Sequence, residues 1–401
     1  MVYAEEVRSL ADELEPYVVE CRRHVHRLAE LSGEEVQTAA FVEKELDGLG
    51  IAWSNPTPTS VLGVVDSGQA GRCVALRADI DALPIVESPE NLAGPRACMS
   101  ENPGTCHACG HDGHTAMLLG VARALARLRD EGRLQGTVLL CFESAEETMS
   151  GYGPMLEALE GHPVGAVWGI HLYAELESGK VCVDAGPRMA GAATLDVVLH
   201  GTGGHGSRPD MARNPVFAAA NLLNNLAVAW VNRLAPDESV TLGATTIEGG
   251  GRFNIIPEEA HVKGSLRYFN GEAGGKALEI VRLVCEHTAA MHGCSADVAA
   301  SREIAWPVIN DGPASALATK ALEEVLPNGA VAPCDPWFGS ESFGFYLQRY
   351  PGVFAHLGIA NPACGSGSPH HTARFDIDES VLKLGVAATL AYACAYLEHG
   401  F

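Results

Sequence analysis

Lysine is scarce in this 401-residue chain: it supplies six of the 27 basic residues, which face 50 acidic ones, so the formal net charge is 27 − 50 = −23. A chain of that sign has little with which to neutralise phosphates, and this argues against a nucleic-acid backbone or an anionic membrane surface as partner. Long apolar runs are also missing. The longest, residues 384–397, has 14 residues, short of the roughly 20 that span a bilayer. The first six residues carry two acids and no base and hold no apolar h-region, so no secretory leader is expected and a cytoplasmic location is. Twelve cysteines are too sparse for a disulfide scaffold of this length. In a reducing compartment most cysteines fill core space, and an exceptional one is a metal ligand or a nucleophile. What the chain does have is apolar mass. At 47% hydrophobic and 19% charged it can bury a large core, which excludes wholesale disorder, and its length suits two to three domains.

Apolar residues recur every three or four positions from Val7 to Leu28, a helical face expected to break or restart at Pro16. Short apolar runs at 73–77, 137–142 and 166–172 read as buried strands, with helical patterns at 115–128 and 155–159 between them. That alternation predicts an α/β domain with a mostly parallel sheet flanked by helices. The texture changes near residue 190. Strand, helix, strand, strand, helix, strand are expected at 194–199, 214–231, 240–247, 260–269, 277–292 and 295–300, the βαββαβ order of a ferredoxin-like α+β unit. A helix at 314–325, a strand at 352–357 and a last amphipathic helix from 379 complete the chain. The expected organisation is therefore one domain, residues 1–190 and 302–401, interrupted by a smaller insert at 191–301.

The densest chemistry lies between Cys106 and His114, where two cysteines and three histidines crowd nine residues. The pair Cys106 and Cys109 could be a redox dithiol, half a zinc ribbon, or part of a mixed Cys/His metal site. A zinc ribbon needs a second cysteine pair at similar spacing, and the chain has none. If this segment is extended, Cys109 and His111 point to one face, because side chains alternate with period two. Other groups stand where strands are expected to end: Glu143, Glu146 and Glu147 after 138–142, His171 after 166–170, and Asp79 and Asp81 after 73–77. Open α/β sheets gather ligand groups at the carboxyl ends of their strands. Adjacent carboxylates there are costly unless a cation or proton is shared.

These motifs, taken in order, resemble the amidohydrolase branch of the M20 metallopeptidase family, which contains aminoacylase-like, hippurate hydrolase-like and auxin-conjugate hydrolase-like enzymes. The resemblance runs from His26 and Glu30, through residues 76–84, the Cys109/His111 cluster, Glu146–Glu147, 169–171, 203–205, 254–257 and 339–341, to 371–375 and Glu379. It implies a site of one or two divalent transition metals (Zn, Mn, Co or Ni) held by Cys109, His111, Glu147, His171 and His371, with Cys109 bridging. It further implies Glu146 as general base, Asp79 orienting a ligand from behind, His205 as an oxyanion or substrate donor, and Asn254 and Arg267 gripping a substrate carboxylate. A homodimer paired through the insert follows from the same resemblance. The chain departs from the pattern at Cys106, where Met is usual, at Glu143 and Ser144 for Gln and Pro, at Ser342 for Asp, and at Asp210 near a common His.

The residue types suit hydrolysis of an amide, whose carbonyl must be polarised and whose attacking water must be activated at neutral pH. The expected activity is cleavage of N-acyl amino acids or related small C–N substrates. Alternatives are a carboxypeptidase or dipeptidase, a hydrolase of another C–N bond such as an aromatic amine, a non-catalytic metal-binding relative, and a CxxC redox protein.

Overall fold

The computed structural model describes residues 4–401. They divide into two compact units. The first runs from the start of the described chain to Gly186 and resumes at Ile309–Asp335 and Phe345–Phe401; the second comprises Pro187–Val308 and Pro336–Gly344. The second unit is wider than the 191–301 segment expected, for two local reasons. Strand Glu303–Ala305 pairs with Gly191–His200, and the Ala190 N–H is shared between the carbonyls of Trp337 and Gly339.

The first unit is built on a seven-stranded sheet in the spatial order Ala52–Ser54, Val61–Asp66, Thr137–Glu143, Cys73–Asp79, Val164–Glu177, Gly352–Ala360, Val181–Cys182. The four strands from Thr137–Glu143 to Gly352–Ala360 are parallel and the outer pairings antiparallel. Every residue of Cys73–Asp79 is buried, as a parallel strand covered on both faces requires. Helix Ala4–Leu28 buries the predicted stripe Val7, Leu10, Leu14, Val18, Cys21 and Val25. It does not break at Pro16, which lies inside it. The lost N–H costs one hydrogen bond, but packing against helices His111–Asp130 and Leu382–His399 holds both halves in one axis.

The last helical stretch, Glu379–His399, is longer than the apolar run read from sequence, and its 21 residues meet the length and apolarity of a membrane span. Yet 72% of its most apolar window is buried within the protein, where Leu382, Val386, Leu390 and Tyr392 join the main core. It is a core helix by packing.

The second unit has the expected βαββαβ order: Gly191–His200, Pro215–Arg233, Val240–Gly249, Glu259–Tyr268, Gly271–Met291 and Ser295–Asp297. Its antiparallel sheet is ordered Val240–Gly249, Glu259–Tyr268, Gly191–His200, Ser295–Asp297. The alternating burial of Gly191–His200 points Leu195, Val197 and Leu199 into a separate small core with Leu222, Leu226 and Val281.

Candidate metal centre

Three parallel strands deliver the site. Asp79 and Glu143 end neighbouring strands in register with each other, and Arg77 pairs with Gly169. His171, two residues beyond Gly169, therefore lies level with those strand ends, although its own strand continues to Glu177. Into this level runs the N-terminus of helix His111–Asp130, which begins four residues earlier than the predicted 115. The extended conformation expected for Cys109–His111 is not what forms. Gly110 sits at φ +92°, and a Cβ there would lie 3.2 Å from a Leu172 methyl, so glycine alone turns the chain sharply enough to bring the thiol and the first helical imidazole together.

The expected ligands converge. Cys109 Sγ is 3.6 Å from His171 Nε2, His111 Nε2 is 3.8 Å from Glu147 Oε1, and His371 Nε2 is 3.3 Å from the same oxygen. Donor atoms of Cys109, Glu147 and His371, and of His111, Glu146 and Glu147, lie within 4.8 Å of one another in each group. Hydrogen bonds fix which ring nitrogen each imidazole presents. His111 Nδ1 is 3.0 Å from Asp81 Oδ1 and His171 Nδ1 is 2.6 Å from the Leu172 carbonyl. Both acceptors take an Nδ1–H, which turns each Nε2 towards the cluster.

Two atoms aimed into this space, His111 Nε2 and Glu147 Oε1, are buried without a hydrogen-bond partner. Buried polar atoms are rarely left so, and here they belong to a thiol–imidazole–carboxylate set that suits a divalent transition ion. The donor set thus fits the metal implied by the sequence.

The electrostatics show that negative charge gathered around His111 calls for a cation at this point. Burial opposes charge on His111, but Asp79, Asp81 and Glu147 outweigh it and push the imidazole up to about 10. Burial, reinforced by the neighbouring His114 and His370 rings, holds His171 far below the usual imidazole range, hence neutral. Burial also works against the Asp79 carboxylate, yet His111, His114 and Arg77 hold it well below the usual range.

Behind the ligands stand residues to which the sequence assigned no role. Asp81 accepts from His111, from Ser32 Oγ at 2.6 Å and from the Glu147 N–H at 3.0 Å, tying two expected ligands to one carboxylate. The sequence expectation gave the orienting role to Asp79. The structure instead has Asp79 grip His114 Nδ1 at 2.5 Å and Arg77 at 2.7 Å, with Oδ2 3.6 Å from His111 Nε2. His114 has both ring nitrogens engaged, because its Nε2 accepts the Leu172 N–H. Its i, i+3 spacing from His111 on a helix was the available signal. Glu143, the departure from the family pattern, forms a buried pair with Arg77 at 2.9 Å and accepts from the Tyr346 hydroxyl. Ala145, beside Glu146, is held at φ +54° by a 2.6 Å hydrogen bond from its N–H to buried Glu35, and His371 sits at φ +59°. Backbone strain of this kind concentrates at functional sites.

Cys106 does not belong to the cluster. Its side chain packs in the apolar core, and burial pushes its thiol up to about 12, which removes the nucleophile a redox dithiol requires.

The remaining candidates lie in the second unit. His205 is exposed and pairs with Ile255, next to Asn254, in a two-stranded ribbon. Its Nδ1 accepts the Ser207 N–H at 3.1 Å, so Nε2 carries the proton and is a donor. Arg267 is half-buried and donates to Ser340 Oγ at 3.0 Å; burial lowers its affinity for its proton. Asn254 and Arg267 are not brought together. Between them lies strand Glu259–Tyr268, and 267 − 259 = 8 residues of strand cover roughly 26 Å at about 3.3 Å each.

Comparison with known proteins agrees on one family. The sequence pattern of peptidase family M20/M25/M40 matches residues 75–395. The chain is 33% identical over 392 residues to thermostable carboxypeptidase 2 of Saccharolobus solfataricus, covering 97% of each. It is 36% identical to IAA-amino acid hydrolase ILR1-like 2 of Arabidopsis thaliana, covering 95% of this chain and 85% of that one. Among solved structures, the Bacillus subtilis YXEP protein, described as a dinuclear metal binding peptidase from the M20 family, aligns with a TM-score of 0.81 at 29% identity over 96% of this chain and 99% of that chain.

Proposed function

The chain belongs to peptidase family M20/M25/M40 and is a metal-dependent hydrolase of C–N bonds; from that premise we propose that it cleaves the amide of N-acyl amino acids, with Cys109, His111, Glu147, His171 and His371 as its ligands. The observation that carries this assignment is a pair of buried ligand atoms without a hydrogen-bond partner, His111 Nε2 and Glu147 Oε1, beside the Cys109 thiol and Glu146. A bound divalent ion supplies Lewis acidity and lowers the pKa of water from about 15.7 towards 7. The protein's own groups do the rest. Glu146, 4% exposed and adjacent to a ligand, takes the proton of the attacking water and returns it to the leaving nitrogen. Asp81 holds His111 and Glu147 in place, and the His205 Nε2–H donates to the carbonyl oxygen as negative charge develops there. Arg267 binds the substrate carboxylate, a task for which a guanidinium fork is suited.

A homodimer completes this reading. His205 and Asn254 stand about a strand's length from Arg267 within one unit, so a substrate gripped by Arg267 of one subunit meets His205 and Asn254 of the other. Helix Pro215–Arg233 exposes Val228 and Val231, and Phe253 next to Asn254 is fully exposed. Strand Val240–Gly249 forms an open edge of its sheet. A cytoplasmic location fits the cysteines, none of which is joined in a disulfide among the described residues.

The test is metal analysis of the purified protein followed by a screen of N-acetyl, N-benzoyl and dipeptide substrates. Preference for dipeptides over every N-acyl amino acid would favour the carboxypeptidase reading, for which the relative from Saccharolobus solfataricus speaks. Turnover without any bound transition metal would reject the assignment.

A further inference from the structure

At the far edge of the first unit's sheet, two thiols and an imidazole meet that the proposed hydrolysis does not use. The register places Cys182 opposite His356 and His356 opposite His171. Three chemically active side chains thus occupy one row across three adjacent strands, and only the innermost belongs to the hydrolytic cluster. The third member comes from a returning segment. Val331 bridges Val181, and the Ala332 N–H donates to the Val181 carbonyl, which brings Cys334 over the strand edge. Cys334 Sγ lies 3.9 Å from His356 Nδ1, and the Cys182 thiol is hydrogen-bonded to both Cys334 and His356.

Core cysteines are ordinarily lone fillers beside aliphatic groups. Here two of them converge on a histidine whose other ring nitrogen, Nε2, is buried and has no hydrogen-bond partner. The thiol pair is therefore what the structure shows anchoring the His356 ring through a polar contact. Cys182 and His356 are fully buried, while Cys334 is half-buried and opens the cluster to solvent on one side. The Cys334–His356 separation of 3.9 Å is close to that of two ligands on one ion: Zn–S bonds of about 2.3 Å and Zn–N bonds of about 2.0–2.1 Å in a tetrahedron place neighbouring sulfur and nitrogen roughly 3.5 Å apart.

We propose that Cys182, Cys334 and His356 form a second metal site, distinct from the hydrolytic centre, that takes one thiophilic divalent ion of the zinc class and leaves its fourth position to water. Two thiols and an imidazole select zinc over magnesium or calcium, which prefer oxygen ligands.

The experiment counts ions in the full-length protein, loaded with its hydrolytic metals and kept under reductant, after titration with zinc and removal of the excess. Wild type should retain one zinc per chain more than the Cys182→Ser, Cys334→Ser double variant. Cys109→Ser should keep that additional ion, which separates the site from the hydrolytic one. His356→Gln, which spares both thiols, should weaken the additional ion at least tenfold. Cadmium in place of zinc should add a thiolate charge-transfer band in the ultraviolet that either single cysteine variant abolishes. Equal zinc counts in wild type and in well-folded single variants, judged by circular dichroism, would overturn the proposal. So would a Cys182–Cys334 disulfide found by peptide mapping in protein never exposed to oxidant, since a joined pair cannot ligate.

Discussion

The polar candidates of the two units are held in opposite ways. In the first unit every expected ligand but His371 is buried or nearly so, and behind them two carboxylates fix ring orientation, Asp81 on His111 and Asp79 on His114, with Arg77 in turn holding Asp79. In the second unit His205 and Asn254 are exposed on a short ribbon, and half-buried Arg267 donates to the Ser340 hydroxyl. A buried cluster can assemble a metal site within one chain. An exposed ribbon has to wait for something to cover it. The difference teaches where the chemistry is prepared, and where it depends on assembly.

The largest expected effect sits in the buried cluster. Glu146→Gln should lower kcat by about 10²–10⁴-fold with metal content unchanged by elemental analysis, whereas Glu147→Gln should lose metal. Equal metal loss in both would remove the distinction between base and ligand. Next, Arg22 pairs with Asp112, Asp376 and Glu379 in a buried network behind the His111 helix terminus. Arg22→Leu takes the guanidinium from Asp112, which is fully buried, and leaves it to His26; it should cost about 3–5 kcal/mol in urea unfolding, and a midpoint equal to wild type would show the network to be idle. Smaller again, Asp81→Asn should weaken metal binding roughly 10–100-fold in chelator competition, while leaving the fold intact.

A fourth test uses pH. Burial and Arg22 oppose charge on His26, but Asp112 and Glu87 raise its pKa above the usual value. Its stabilisation is therefore complete below about pH 6.5 and fades as pH climbs through the raised value. Glu87 runs the other way. Burial opposes its charge, and His26, the Ser100 N–H and Arg96 depress it, so its share is complete above about pH 4.3 and fades on acidification. Both are whole between those limits. His26→Gln should lower the urea midpoint most in that window, with the gap to wild type narrowing at alkaline pH.

The smallest effects on stability belong to the second unit, and they sharpen the contrast. Val231→Glu or Phe253→Ser should change the unfolding midpoint little yet shift a dimer towards monomer in analytical ultracentrifugation. Homodimers of Glu146→Ala and of His205→Ala should each be nearly inactive. Heterodimers assembled from the two carry one site with both groups intact and should recover at most about half activity. No recovery in a mixture shown to contain heterodimers would place His205 in its own subunit's site.

Much of this was legible in the residues. Apolar runs at 73–77 and 137–142 announced buried parallel strands, because a sheet covered on both faces leaves no place for polar alternation. The βαββαβ order of the insert showed in its change of period. The start of the His111 helix was not legible, since a period-two pattern ignores what one glycine at positive φ does to chain direction. The insert's true edge escaped for a different reason: Pro336–Gly344 joins it through backbone hydrogen bonds near Ala190, and backbone pairing over such a distance leaves no side-chain signature. Pro16 was read by its local preference, which the packing of Ala4–Leu28 against two other helices overrides.

By itself the sequence determined the inventory: the thiol, imidazoles and carboxylates, their order, and an apolar content sufficient to bury them. Short-range chemistry and spacing along the chain carry that much. Only the tertiary structure decided which lone pairs face one another. Asp81 rather than Asp79 secures His111, His114 is spent on Asp79 and Leu172, and Cys106 is core while Cys109 is not. Those choices depend on register between strands and on the direction in which a helix begins, and both are set by packing among residues far apart in the chain.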